Sequence, residues 1–219
     1  MRALPRFFFL FIFFSIAILA KAENTFVIDG NTLQIGNVIY RLHGIDAPEP
    51  GQRCNLPNGK TWRCGDEATK ALVALIEGRE VGCETKFEDE FGRVIAVCRV
   101  GEVELNEILV RQGNAWAFRR FSIDYALAEE LAKEAGIGIW QAPTQTAEEY
   151  RKSRWENAAK DVPEGCPIKG NISQSGMIYH TPWSPWYTRT KINTAKGERW
   201  FCNEAEAIAA GWRAPKWGR

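Results

Sequence analysis

The chain has 219 residues, 45% of them hydrophobic and 25% charged, with 28 basic against 27 acidic side chains and a formal net charge of +1. Charge this balanced provides no broad basic surface, so any recognition of phosphate must rest on a few placed arginines. With only two histidines, His43 and His180, a histidine-based nuclease, a zincin or a Ser-His-Asp hydrolase has little support, and chemistry falls to carboxylates and arginines.

Arg2 and Arg6 precede the apolar run FFFLFIFFSIAILA, which ends in the small-residue pattern Ala20-Lys21-Ala22. This predicts a secretory signal peptide over 1–22, cut before Glu23. The run is shorter than the roughly 20 residues that cross a bilayer, and no later segment is apolar enough to do so. Arg2, Arg6 and Lys21 are three of the 28 basic residues, so the chain beyond the leader carries 25 basic against 27 acidic ones. The expected protein is exported, periplasmic or secreted.

After the leader, TFVIDG, TLQIG and VIYRLHGI read as short strands, rich in β-branched and aromatic residues and punctuated by Gly30, Gly36 and Asn37. A helix is predicted from about Asp66 to Glu77, stopped by Gly78, with Ala71, Leu72, Leu75 and Ile76 on one face. The segment EVGCETKFEDEFGRVIAVCRV follows as a hairpin. VELNEILVRQG forms a second helix ending at Gly113, and a third starts at an N-cap Ser122 and runs to Gly136. Strands, a helix, a hairpin and two more helices predict an α+β domain over 23–142, a five-stranded Greek-key barrel of the oligonucleotide-binding (OB) type with three helices. Residues 143–164 turn charged and polar, with no wide apolar face, and read as a polar linker with room for one solvated helix. Residues 165–219 form a small module dense in aromatics, among them Tyr179, Trp183, Trp186, Tyr187, Trp200, Phe201, Trp212 and Trp217.

Six cysteines in an exported chain read as disulfides. Many pairings are open, and three local ones fit well: Cys54–Cys64 around a Pro-Asn-Gly loop, Cys83–Cys98 at equal distances from the hairpin centre, and Cys166–Cys202 in the module, where a cross-link would support a small core. A zinc site made of Cys166, Cys202 and His180 is the alternative, weakened by the lack of a Cys-x-x-Cys clamp.

Residues able to do chemistry gather at strand ends: Asp29 and Asn31 in VIDGN, Arg41, Asp46 and Glu49 in YRLHGIDAPEP, and Arg93 in EDEFGR. Pro48 and Pro50 stiffen the loop that carries Asp46 and Glu49. A hard cation needs oxygen ligands, and a phosphodiester in transition needs cationic donors, for which the forked arginine side chain is well suited. Each motif by itself also fits an ordinary turn or hairpin loop.

Together, VIDGNTL, RLHGIDAPE, DEFGR, VELNEILVRQGNAW and GIGIW resemble the staphylococcal nuclease, or thermonuclease, family in order and spacing over Phe26 to Trp140. The resemblance implies a Ca²⁺-dependent phosphodiesterase acting on DNA or RNA. Carried over by motif position, Asp46 is a carboxylate ligand, Ala47 a ligand through its carbonyl, and Asp29 a residue of the metal's outer shell. Glu49 is the general base, and Arg41 and Arg93 stabilise charge on the phosphoryl oxygens. Two departures stand out. Asn31 occupies a position where the family commonly has an aspartate ligand, which predicts a weaker metal site. Glu90 and Phe91 stand where a lysine and a tyrosine are common. Phe91, Arg119 and Phe121, with Arg120, are candidate substrate contacts.

The last stretch, from CPIKGNISQSGMIYHTPW to EAEAIAAGWRAP, resembles a compact β-β-α module appended to some thermonuclease-like proteins, including ones associated with succinoglycan production. The leading expectation is therefore an exported, monomeric Ca²⁺-dependent nuclease. The alternatives are a barrel that binds nucleic acid or another anionic polymer with weakened chemistry, and an accessory protein of exopolysaccharide or envelope synthesis.

Overall fold

A computed structural model describes residues 25–216 of the chain; the predicted leader over 1–22 and Trp217 lie outside this range. Three short strands, β1 (Thr25–Asp29), β2 (Thr32–Ile35) and β3 (Val38–Leu42), pair antiparallel in sequence order. The turn between β1 and β2 is closed by Asp29, whose Oδ1 accepts the amide of Asn31 at 2.9 Å, a common use of Asp at a turn. A short strand β4 (Ile45–Asp46) follows, then a small hairpin of β5 (Cys54–Asn55) and β6 (Thr61–Trp62) closed by the Cys54–Cys64 disulfide.

Helix α1 (Cys64–Ile76) leads into a long antiparallel hairpin of β7 (Gly82–Glu88) and β8 (Val94–Val100), with Cys83 directly opposite Cys98 and bonded to it. Strand β3 pairs parallel with β8, placing Arg41 opposite Ile95. The sheet order is β1-β2-β3-β8-β7, and β9 (Val103–Glu104) adds to β8 as a sixth strand. Helix α2 (Leu105–Arg111) follows, then β10 (Trp116–Ala117), which pairs with β4, and helix α3 (Ala126–Glu134). Leu33, Leu42, Ile45, Leu72, Leu105, Leu109 and Val110 form one core between the sheet and the helices. Within it, Asn106 is fully buried and acts as a strut: its amide donates to the carbonyls of His43 and Ala96, and its oxygen accepts from Cys98 N.

Two helix starts differ from expectation. Helix α1 begins at Cys64 rather than Asp66, and the Asp66 side chain instead accepts the amide of Gly51 and pairs with Arg63. Ser122 does not cap α3, which begins at Ala126; its hydroxyl accepts the amide of Asp124 in a separate turn, so a local side-chain bond replaces the cap.

The stretch read as a polar linker contains helix α4 (Ala147–Ala159), started by a capping box between Thr146 and Glu149. It is docked rather than solvated. Ala147 is buried against the Cys54–Cys64 cluster, and the chain before it is held by bonds from Asn55 to Pro143 O and from Gln52 to Gln145 O.

The C-terminal module has three strands where two were expected. Strand β11 (Ile168–Ser173) lies between β12 (Gly176–His180) and β13 (Arg199–Phe201), ahead of helix α5 (Glu204–Ala209). Ile168, Tyr179, Phe201, Ala207 and Trp212 form its core, with Trp155 of α4 packed against it. Cys166 and Cys202 are bonded to each other, and His180 hydrogen-bonds Asn171 and Ser184. The zinc alternative is thereby overturned, because its two thiols are consumed and its histidine is engaged.

Candidate active site

The charged residues Asp29, Arg41, Glu49 and Arg93, singled out in the sequence for chemistry, line one cleft. Parallel pairing of β3 with β8 brings Arg41 and Arg93 to the same end of the sheet. Asp46 lies at the end of β4, and the loop after it turns Glu49 back toward the cleft. That loop is tightly held. Gln52, fully buried, accepts the Glu49 amide at 3.0 Å through its side chain. The start of α1 crosses so near that a β-carbon on Gly65 would lie 1.7 Å from the Glu49 carbonyl oxygen.

Asp46 is 4% exposed and Glu49 8%. Arg41 Nη2 reaches Asp46 Oδ1 at 3.0 Å, and Arg41 Nη1 lies 3.5 Å from the side-chain oxygen of Asn31. Asn31 is itself buried and donates its amide to Ile45 O. Arg93 rests on Asp89, which also accepts the amides of Phe91 and Arg93 and so closes the tip of the hairpin. Burial works against the Arg93 charge, but Glu204, Asp89 and Asp29 outweigh it and raise its pKa.

Arg151 of α4 also enters the site, a contribution not foreseen from the sequence. Its two terminal nitrogens lie on the two Asp46 oxygens at 3.0 and 2.8 Å, and Nη1 also donates to Glu49 Oε1 at 2.7 Å. Burial pushes the Glu49 carboxyl up to about 7; the Arg151 guanidinium opposes this, while Asp29 and Asp46 add to it. A carboxyl near 7 can exchange a proton with water at neutral pH.

The cleft walls are aromatic and charged. Phe91, Phe118, Arg120 and Phe121 line one part, with Phe121 exposed, and Trp183 enters from the turn after β12 in the C-terminal module. Arg119, expected among them, points away. It pairs with Glu129 and Glu130 of α3, and Glu129 also accepts the amide of Ala117, so Arg119 braces β10 against α3.

Among the described residues no three His, Cys, Asp or Glu side chains form a ready metal cluster. The oxygens grouped at the base of the cleft come from Asp46 and Glu49, with the Asn31 amide oxygen near Arg41. Asp89, Arg151, Trp183 and Glu204 were missed in the sequence. Only Asp89 left a signal, its place within EDEFGR.

A sequence model of the family described as "Staphylococcal nuclease homologue" matches residues 39–142, and a second, described as "ArfC", matches residues 149–214. The chain is 35% identical over 131 residues to a protein named "Succinoglycan biosynthesis protein ExoI" from Rhizobium meliloti, covering 55% of this chain and 65% of that one. It is 32% identical over 142 residues to an "Uncharacterized endonuclease" of Haemophilus influenzae, covering 60% and 74% of the two chains. It is also 32% identical over 102 residues to a "Probable staphylococcal-like nuclease CAN3" of Oryza sativa, covering 46% of this chain and 24% of the rice protein. The chain thus spans a little under two thirds of the Rhizobium protein and a quarter of the rice protein.

Proposed function

This chain belongs to the staphylococcal nuclease family, and on that premise we propose that it is an exported, Ca²⁺-dependent phosphodiesterase that hydrolyses DNA or RNA. Its scaffold in this reading is an OB-type barrel over 23–142, with the module of 165–219 set beside the cleft. The observation that carries the reading is the convergence of Arg41, Glu49 and Arg93 on one cleft, with Asp46 hydrogen-bonded to Arg41.

The oxygen donors suit a hard cation. The guanidinium of Arg151, seated on Asp46 and Glu49, shows that these oxygens hold positive charge. Asp46, the amide oxygen of Asn31 and the carbonyl of Ala47 would hold Ca²⁺, with Asp29 outside them. When bound, the ion supplies a positive charge that polarises the phosphoryl oxygens.

Glu49 takes a proton from a water molecule as the water oxygen bonds to phosphorus and the opposite phosphorus–oxygen bond to the sugar breaks. Arg41 and Arg93 present their forks to the phosphoryl oxygens, where negative charge builds. Phe91 and Phe121 offer rings to the bases or sugars near the scissile bond. Three disulfides, and the lack among the described residues of a helix long and apolar enough to cross a membrane, support export.

The test is cleavage of single-stranded DNA by the mature chain across a Ca²⁺ titration, with Glu49→Gln as control. Cleavage that rises with Ca²⁺ and is lost on Glu49→Gln is the expected result; absence of cleavage at millimolar Ca²⁺, or full activity of the variant, would sink the reading. The name of the Rhizobium relative favours a second reading, an accessory role in exopolysaccharide synthesis. Retention of the protein by an acidic polysaccharide, without cleavage of nucleic acid, would favour that one.

A further inference from the structure

Of the three cleft arginines paired with carboxylates, Arg41, Arg93 and Arg151, the last comes from α4, and its seat is anchored from several sides. Gln52 bonds both the Glu49 amide and Gln145 O just before α4, Ala147 is buried beside the Cys54–Cys64 disulfide, and Arg154 donates to Pro182 O of the module. These anchors deliver one guanidinium to both oxygens of Asp46 and one oxygen of Glu49.

Charge matters as much as position. With Asn31 neutral, Asp46 and Glu49 are the carboxylates on which guanidinia rest, Arg41 and Arg151 are those guanidinia, and Asp29 adds a further negative charge beside Glu49. The pairs are nearly buried, where opposite charges attract more strongly than in water. A carboxylate oxygen that accepts from a guanidinium at 2.8 Å cannot present the same lone pair to a metal ion.

We propose that Arg151 is a built-in counter-cation of the active site, which Ca²⁺ must displace, so that occupation of the site and seating of α4 oppose each other. This rests on the Ca²⁺-dependent reading above. The two ligands compete for the same oxygens, and by linkage whatever weakens one strengthens the other. The ion's entry frees the guanidinium within the cleft and loosens α4, and with it the Trp183 wall to which Arg154 ties the helix.

The test uses the full mature chain, with CaCl₂ titrated by calorimetry into wild type, Arg151→Gln and Asn31→Asp, and with amide hydrogen exchange followed over 147–159. Arg151→Gln should bind Ca²⁺ about tenfold more tightly than wild type, and saturating Ca²⁺ should speed exchange in α4 of the wild-type protein. The exchange measurement needs no variant and so stands even if Arg151→Gln folds poorly. Equal or weaker binding by Arg151→Gln while Asn31→Asp binds Ca²⁺, or α4 exchange unchanged at saturation, overturns the competition and leaves the nuclease reading intact. If none of the three proteins binds Ca²⁺, the Ca²⁺-dependent reading falls and this inference with it.

Discussion

Gly65 and Glu49 meet backbone to backbone: a β-carbon on Gly65 would lie 1.7 Å from the Glu49 carbonyl oxygen and 2.5 Å from its carbonyl carbon. Helix α1 therefore sets the position of the loop that carries the proposed base. Gly65→Ala should cost about 1–3 kcal/mol, as overpacking does, and should move Glu49 relative to Asp46. Urea unfolding measures the first effect. The second is read from cleavage rate, which is expected to fall by at least about tenfold, since small misplacements of catalytic groups are costly.

Asn106 makes three bonds, two of them fully buried, that join α2 to β8 and to the residue after β3. Asn106→Leu fills a similar volume but strips these partners. The expected loss is on the order of 2–3 kcal/mol, seen as a lower urea midpoint with an unchanged slope.

Trp183 belongs to the module yet lines the cleft of the first domain. If it stacks on a base, Trp183→Ala should raise KM for single-stranded DNA about 5- to 150-fold, because stacking on an aromatic ring contributes about 1–3 kcal/mol per base. Turnover at saturation should change little. A fall in turnover with KM unchanged would speak against this role.

His180 supplies a pH dependence of stability. Burial, with Arg189 and Lys169 nearby, lowers its pKa from 6.5 to about 4. The unfolded chain thus takes up a proton that the folded module refuses, and stability rises with pH between these values. The contribution is full above about 6.5 and is lost as pH falls through 4. Its size is on the order of 1–2 kcal/mol, allowing for partial solvent screening. Melting temperature measured from pH 7.5 to 4 should fall in wild type, and this component of the fall should vanish in His180→Asn.

Much of the first domain could be read from its punctuation. The strands bounded by Gly30 and Gly36, the hairpin centred on EDEFGR and the cysteine pairs carry local signals, and these survive folding. Ser122 misled because its hydroxyl had a nearer donor, Asp124 N. Helix α4 stood out less, since sequence periodicity detects helices by an apolar face, and α4 docks instead by Ala147, a capping box and the polar heads of Arg151 and Arg154. Arg41, Asp46, Glu49 and Arg93 sit in motifs and were legible. Arg151 and Trp183 reach the same cleft from distant segments, and one sequence does not tell which surface charge or ring will fold back. Arg119 shows the converse: its position beside Arg120 and Phe121 suggested the cleft, and two glutamates of α3 drew it away.

The parallel pairing of β3 with β8 has a consequence for the order of events in the life of the chain. Arg41 and Arg93 become neighbours only when strands far apart in sequence are zipped together across an intervening helix and hairpin arm. Contacts of such long range form late and slowly, because the loop between them must first be closed. In the reading proposed above, a chain threaded unfolded toward export would hold these two arginines apart, and would spare nucleic acid on its way until the sheet is complete.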